Sequence, residues 1–192
     1  AAITAGVTDA EIEVAAVSKV TGESALTGVY KAFEANGVQL DAKRTEVAQQ
    51  ELEVTNKIAQ ENANQKGFDS SKLDKAMIEI KKELAELKQK QGQLATKEDI
   101  ERIINDALKN NSLQNVISKD QINALVAFAQ NYQNTSAIDS KQVLEQLNSL
   151  SKSVGEKINS LVEQAKNEGW LDKIAQFFTS IFESIKNLFN QQ

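Results

Sequence analysis

The chain has 192 residues, 41% of them hydrophobic, and its 22 basic and 27 acidic side chains give a net charge of −5. It contains neither His nor Cys, which excludes the usual zinc sites, thiolate nucleophiles and Ser-His-Asp triads. Charges of both signs are interspersed without a basic stripe, which excludes nucleic acid as a partner. We therefore expect a protein without metal, cofactor or enzymatic activity.

The complete absence of Pro removes the commonest helix breaker and favours long helices. The sequence predicts a mainly α fold, a multi-helix antiparallel bundle with long coiled-coil-like helices and one short N-terminal strand at most. No window of the chain is long and apolar enough to span a bilayer. The first residues contain neither a basic nor an apolar leader region, and we expect the start of the chain to be a trimmed end.

The segment Glu11 to Val17 is the one predicted strand, because Ile12 and Val14 alternate with Glu11 and Glu13. A single strand cannot satisfy its own backbone hydrogen bonds. It needs a partner strand from upstream residues or from another copy of the chain. The alternative is an extended arm that lies on the helices.

Two helices are predicted next. The first begins at the turn Thr21 to Ser24 and ends at Asn36-Gly37, and its interior Gly28 suggests that another group packs closely against it. The second begins at Asp41 as N-cap and runs to about Lys66. Their apolar faces contain Leu26, Val29, Tyr30 and Phe33 in the first helix and Val47, Ala48, Leu52, Ile58 and Ala59 in the second.

Asp69 is the predicted N-cap of a helix whose apolar residues repeat at spacings of four and three. These residues are Leu73, Met77, Ile80, Leu84, Leu87 and Leu94. Such a short seam favours packing inside one bundle over a separate dimerising coil.

Two capping boxes predict the following helices, which begin after Thr96 and Ser118. Their predicted inward residues are Ile100, Ile103, Ile104, Ala107 and Leu108, then Ile122, Leu125, Val126, Ala129 and Tyr132. The polar run Asn131 to Ser136 indicates a loop. Asp139 then caps a long helix that ends at Glu168-Gly169.

The last predicted helix, Trp170 to Phe189, has an apolar stripe rich in aromatic residues and an opposite face that is wholly polar. We expect it to fold back on the preceding helix as an antiparallel hairpin. An interface with another subunit or a membrane surface are the alternatives. The candidate interaction surface consists of Trp170, Ile174, Phe177, Phe178, Ile181, Phe182, Ile185 and Phe189.

The stretches Thr4 to Ala10, Glu11 to Val17 and, above all, Thr21 to Glu34 resemble the DUF1002 family. The family comprises predicted extracellular proteins of Firmicutes with no assigned function. The resemblance implies export to the cell envelope or the medium, and it implies no catalytic residue. Family members carry a substantial N-terminal half upstream of the Thr-Ala-Gly sequence. The resemblance implies that this half supplies the partner strands for Glu11 to Val17.

The expected organisation is a family-like segment over residues 1–67 and a helical bundle over residues 68–192, with one continuous domain as the alternative. The expected function is that of a non-enzymatic exported or cell-envelope protein that acts through protein surfaces, by binding another protein or itself. One alternative is a membrane-surface or lipid-binding protein that uses residues 170–189, although their polar face carries no net positive charge. Another is a self-assembling structural protein. No small-molecule substrate is indicated.

Overall fold

The computed structural model describes residues 1–7, 12 and 21–168, and within the last helix it describes side chains up to residue 155. This part of the chain is helical and contains no strand, which confirms the mainly α, bundle-like fold. The helices are α1 (Ala2–Ala5), α2 (Gly22–Ala35), α3 (Ala42–Asn62), α4 (Ser70–Gln91), α5 (Lys97–Asn110), α6 (Lys119–Gln133) and α7 (Lys141–Glu168), with a 3-10 helix at Ser136–Asp139. The predicted strand lies outside the described residues except for Ile12, which belongs to no helix or strand.

The chain divides into two compact units, Ala1–Ser151 and Lys152–Gln192. The first unit contains α1 to α6, the 3-10 helix and the start of α7. Of the second unit, the structure describes the remainder of α7. The predicted division at residue 67 stays a prediction.

The core of the first unit forms where α4 packs on α5, α3 on α6, and α5 on α6. The predicted inward face of α5 is confirmed, because all five of its residues are at most 2% exposed. The α4 seam is buried at Leu73, Met77, Ile80 and Leu84. Leu94 is not part of this seam, because Gly92 ends α4 in a left-handed conformation with φ 71° and Leu94 follows in an exposed connection.

Both predicted capping boxes are confirmed. The Asp99 N–H donates to the Thr96 hydroxyl at 3.1 Å, and the Thr96 N–H donates to the Asp99 carboxylate at 3.2 Å. The Gln121 N–H donates to the Ser118 hydroxyl at 3.3 Å, and the Ser118 N–H donates to the Gln121 side chain at 2.9 Å. Each pair satisfies two backbone donors that a helix N-terminus otherwise leaves free.

The predicted loop at Asn131 to Ser136 is wrong, because α6 continues to Gln133 and the 3-10 helix begins at Ser136, which leaves two residues between them. The buried Tyr132 favours this continuation, since it extends the apolar face of α6 by one turn. Asp139 belongs to the 3-10 helix and does not cap α7. That role falls to Ser140, whose hydroxyl accepts a hydrogen bond from the Val143 N–H at 3.3 Å.

Helix α2 packs on α3 and lies beside α1. Thr21 caps it as predicted, and Leu26 is its buried residue, in a small cluster with Ala5 and Ala48. The close approach expected at Gly28 is wrong, because a Cβ built on this residue meets nothing within 4 Å.

No helix among the described residues is long and apolar enough to cross a membrane. The predicted C-terminal helix and its fold-back onto the preceding helix lie outside the described residues.

Candidate functional site

All eight residues of the predicted interaction surface, from Trp170 to Phe189, lie outside the described part of the chain. Within the described part, α3 carries the two polar features that stand out. One is a buried ion-pair cluster near the middle of the helix. The other is an open groove along its C-terminal half.

The buried feature, here called the Glu51 cluster, consists of Glu51, Lys81 and Thr4. Lys81 Nζ lies 2.7 Å from Glu51 Oε1, and both residues are at most 6% exposed. Thr4 donates its hydroxyl to Glu51 Oε2 at 2.6 Å. Both carboxylate oxygens are therefore partnered, which a buried charge requires.

The electrostatics of this cluster favour the ionised carboxylate. Burial alone raises the pKa of Glu51, but the positive charge of Lys81 and the hydrogen bonds from Lys81 and Thr4 outweigh burial and hold the pKa below its ordinary value. Burial is also the main cause that raises the pKa of Asp74, and the negative charge of Glu51 raises it further. Glu51 therefore stays charged at neutral pH as one half of an ion pair.

Beside this cluster, Arg44 forms hydrogen bonds to α1. Its guanidinium donates from Nε to the Thr4 carbonyl at 2.8 Å and from Nη2 to the Ile3 carbonyl at 3.0 Å, at the end of α1. Gly6 follows with φ 97°, and a Cβ at this position would lie 3.1 Å from Arg44 Cζ. The cluster and Arg44 together anchor residues 1–7 on α3 and α4.

The Glu51 cluster is closed to solvent and its carboxylate is held by a lysine, so it supports a structural role. Sequence reasoning missed it, although both partners lie on apolar faces. Glu51 comes four residues after Val47 and three after Ala48, and Lys81 comes four residues after Met77 and three before Leu84. Helical spacing places both charges toward the core, where they need a partner.

The open feature, here called the acidic groove, lies between α3 and α6 and has a volume of about 410 Å³. Its lining residues are Glu53, Val54, Lys57, Ile58, Glu61, Ser118, Asp120, Gln121 and Ala124. The floor is apolar, with Ile58 buried and Val54 and Ala124 half-buried. Three carboxylates and one lysine form the rim, so the groove is both partly apolar and acidic.

Gln121 fixes one wall of the groove. Its side-chain amide donates to Glu61 Oε2 at 2.7 Å, while its carbonyl oxygen accepts from the Ser118 N–H at 2.9 Å. Lys57 Nζ lies 4.0 Å from Glu61 Oε1 and its side chain is 73% exposed, so this ion pair is weak. In the described part of the chain, Glu53 and Asp120 take part in no ion pair.

No group of carboxylates among the described residues is arranged to hold a metal ion. Sequence reasoning did not find the groove either. Its rim residues are ordinary solvent-facing positions of two helices far apart in the sequence, and only the packing of α3 on α6 brings them together.

The family described as a protein of unknown function, DUF1002, matches residues 1–150, nearly the same range as the first compact unit. The chain is 33% identical over 193 aligned positions to the uncharacterized protein YpuA of Bacillus subtilis strain 168. The match covers 98% of this chain and 60% of that relative, so the chain spans less than two thirds of the relative's length. No solved structure matches. The chain belongs to the DUF1002 family.

Proposed function

We propose that this protein is a non-enzymatic protein of the cell envelope or extracellular space that acts by binding another protein through a preformed surface. The observation that carries the proposal is the acidic groove between α3 and α6. It is concave, open and partly apolar, and its volume of about 410 Å³ falls within the range of about 300–1,000 Å³ that is typical of ligand sites.

The positions of the other carboxylates support a binding role over an enzymatic one. The Asp69 carboxylate accepts from a backbone N–H as the N-cap of α4, the Asp99 carboxylate accepts from the Thr96 N–H in a capping box, and the Glu51 carboxylate is paired with Lys81 in the core. A general acid or base must reach its substrate. Among the described residues, exposed carboxylates line the groove, where Glu61 accepts a hydrogen bond from Gln121.

The binding proposal is tested with a photo-crosslinking amino acid in place of Ala124, which lines the groove, in the full-length protein inside its host. The matched control carries it in place of Ala32, an exposed residue of α2 that does not line the groove. We expect one defined crosslinked protein from position 124 and none from position 32. Identical products from both positions, or none from either, would contradict the proposal.

Export is tested by cell fractionation. We expect to recover the protein in the wall or the medium, and recovery with a cytosolic marker would contradict export.

The non-enzymatic proposal is tested by assays with peptidoglycan, glycan and peptide substrates. Turnover of such a substrate would count against the proposal if a carboxylate-to-amide change abolished it.

The aromatic stripe of residues 170–189 favours a second candidate function, binding to a membrane surface. Liposome flotation of the intact chain and of a chain that ends at Glu168 distinguishes the two. Membrane binding predicts that only the intact chain floats, and equal behaviour of the two chains eliminates it.

Light scattering tests the self-assembly alternative, which a monomer at high concentration would contradict.

A further inference from the structure

We propose that the partner segment bound by the acidic groove is a lysine- or arginine-bearing stretch of a protein, whose methylene stems lie on the apolar floor and whose charged ends meet the rim. This inference rests on the proposed binding function and adds the chemistry of the partner. It is argued from the charge of the rim, from the apolar floor and from the fixed position of Glu61.

The rim charge favours a cation. Glu53, Glu61 and Asp120 face a single lysine, Lys57, so the groove carries more negative than positive charge. Lys57 touches Glu61 only at 4.0 Å and is largely exposed, so an incoming cation can take its place at little cost. The whole chain, with its net charge of −5, adds to the attraction and speeds the encounter.

The apolar floor favours long side chains over a small free cation. Ile58 is 1% exposed, and Val54 and Ala124 are half-buried beside it. Lysine and arginine bury their methylene stems on such surfaces while their charged ends stay near water and carboxylates.

The position of Glu61 is set before any partner arrives. Gln121, which is 8% exposed, donates to Glu61 Oε2 at 2.7 Å, and the capping box of α6 holds Gln121 in turn. Oε1 accepts no hydrogen bond in the described structure, so both of its lone pairs are available to the incoming cation. A carboxylate that is already oriented loses less side-chain entropy on binding.

The experiment measures binding of a fluorescein-labelled hexapeptide of alternating Ala and Lys to the full chain by fluorescence anisotropy, with a hexapeptide of alternating Ala and Glu as the opposite charge. The test variant is Glu61→Gln with Asp120→Asn. The matched control is Glu34→Gln with Glu98→Gln, which removes the same charge from exposed positions of α2 and α5. NMR spectra of the ¹⁵N-labelled chain locate the bound peptide.

We expect the Ala-Lys peptide to bind and the Ala-Glu peptide not to bind. We also expect about 10-fold weaker binding in the test variant and less than about 2-fold in the control. NMR shifts should concentrate in residues 53–61 and 118–124. The proposal is overturned if the Ala-Lys peptide does not bind, if both variants weaken it equally, or if the shifts spread over the surface. A defined crosslink at position 124 with no Ala-Lys binding would keep the binding function and reject the cationic partner.

Discussion

Helix α3 carries two glutamates in opposite situations. Glu51 is 6% exposed and accepts from Lys81 and Thr4, so that both of its oxygens are occupied. The Glu61 side chain is 47% exposed and has one oxygen fixed by Gln121, with the other facing a weakly held lysine. The first carboxylate serves the fold, whereas the second is available to a partner.

Solvation explains the difference. A buried carboxylate loses its water and must recover that free energy from charges and donors inside the protein, which makes every partner necessary. An exposed carboxylate keeps its water and gains little from any one ion pair. Removing one member of the Glu51 cluster should therefore affect stability strongly, and changing the groove should affect stability little and binding more.

The largest effect is expected for Lys81→Met, which leaves Glu51 buried without its closest positive charge. We expect a loss of about 3–5 kcal/mol in the free energy of unfolding, measured by urea denaturation. Lys57→Met removes an exposed lysine from the same kind of pair and should cost less than about 0.5 kcal/mol. Equal losses in the two variants would show that burial of the pair does not matter.

The same cluster predicts a loss of stability in acid. Lys81 and Thr4 lower the folded-state pKa of Glu51 below the ordinary value of 4.5, so its contribution is present above pH 4.5 and is lost as the pH falls through the lowered pKa. Asp74, whose pKa burial raises, acts in the opposite direction and offsets part of it.

Urea denaturation at several pH values between 2 and 5 measures this loss. The variant Glu51→Gln with Lys81→Met removes both charges and should show a flatter dependence on pH in that range. An unchanged slope in the variant would assign the acid sensitivity to other carboxylates.

Local sequence signals predicted much of the fold. The capping boxes at Thr96 and Ser118 and the apolar face of α5 depend on residues within a few positions of each other, and all three are confirmed. The misplaced loop after Asn131 and the cap assigned to Asp139 have a shared cause. The run Asn131 to Ser136 is mostly polar, and its composition predicted a loop. Burial of a single side chain in this run, that of Tyr132, instead favours another helical turn.

The two polar features could be predicted only in part. Helical spacing places Glu51 and Lys81 toward the core, but it does not say that they face each other across α3 and α4. The acidic groove has no local signal at all, because Glu61 and Asp120 become neighbours only through packing of α3 on α6. The predicted surface at residues 170–189 stays a prediction.

An intermediate effect is expected for Gly6→Ala, next to the Glu51 cluster. Gly6 has φ 97°, and a Cβ there would press on Arg44 at 3.1 Å, so we expect a loss of about 1–3 kcal/mol. Gly28→Ala is the control, because Gly28 lies inside α2 with open space around it and should gain about 0.5–1 kcal/mol. Thermal unfolding of both variants tests whether the two changes in stability have opposite signs. A loss of stability in both variants would mean that the contact with Arg44 does not explain the effect of Gly6→Ala.

The smallest effect on stability is expected for Glu61→Gln. The amide keeps an oxygen that accepts from Gln121, and the ion pair it loses to Lys57 is exposed and long. We therefore expect a change of less than about 0.5 kcal/mol in the free energy of unfolding, measured by urea denaturation beside Lys81→Met. A loss comparable to that of Lys81→Met would mean that Glu61 is also a structural carboxylate, and the contrast between the two glutamates of α3 would fail.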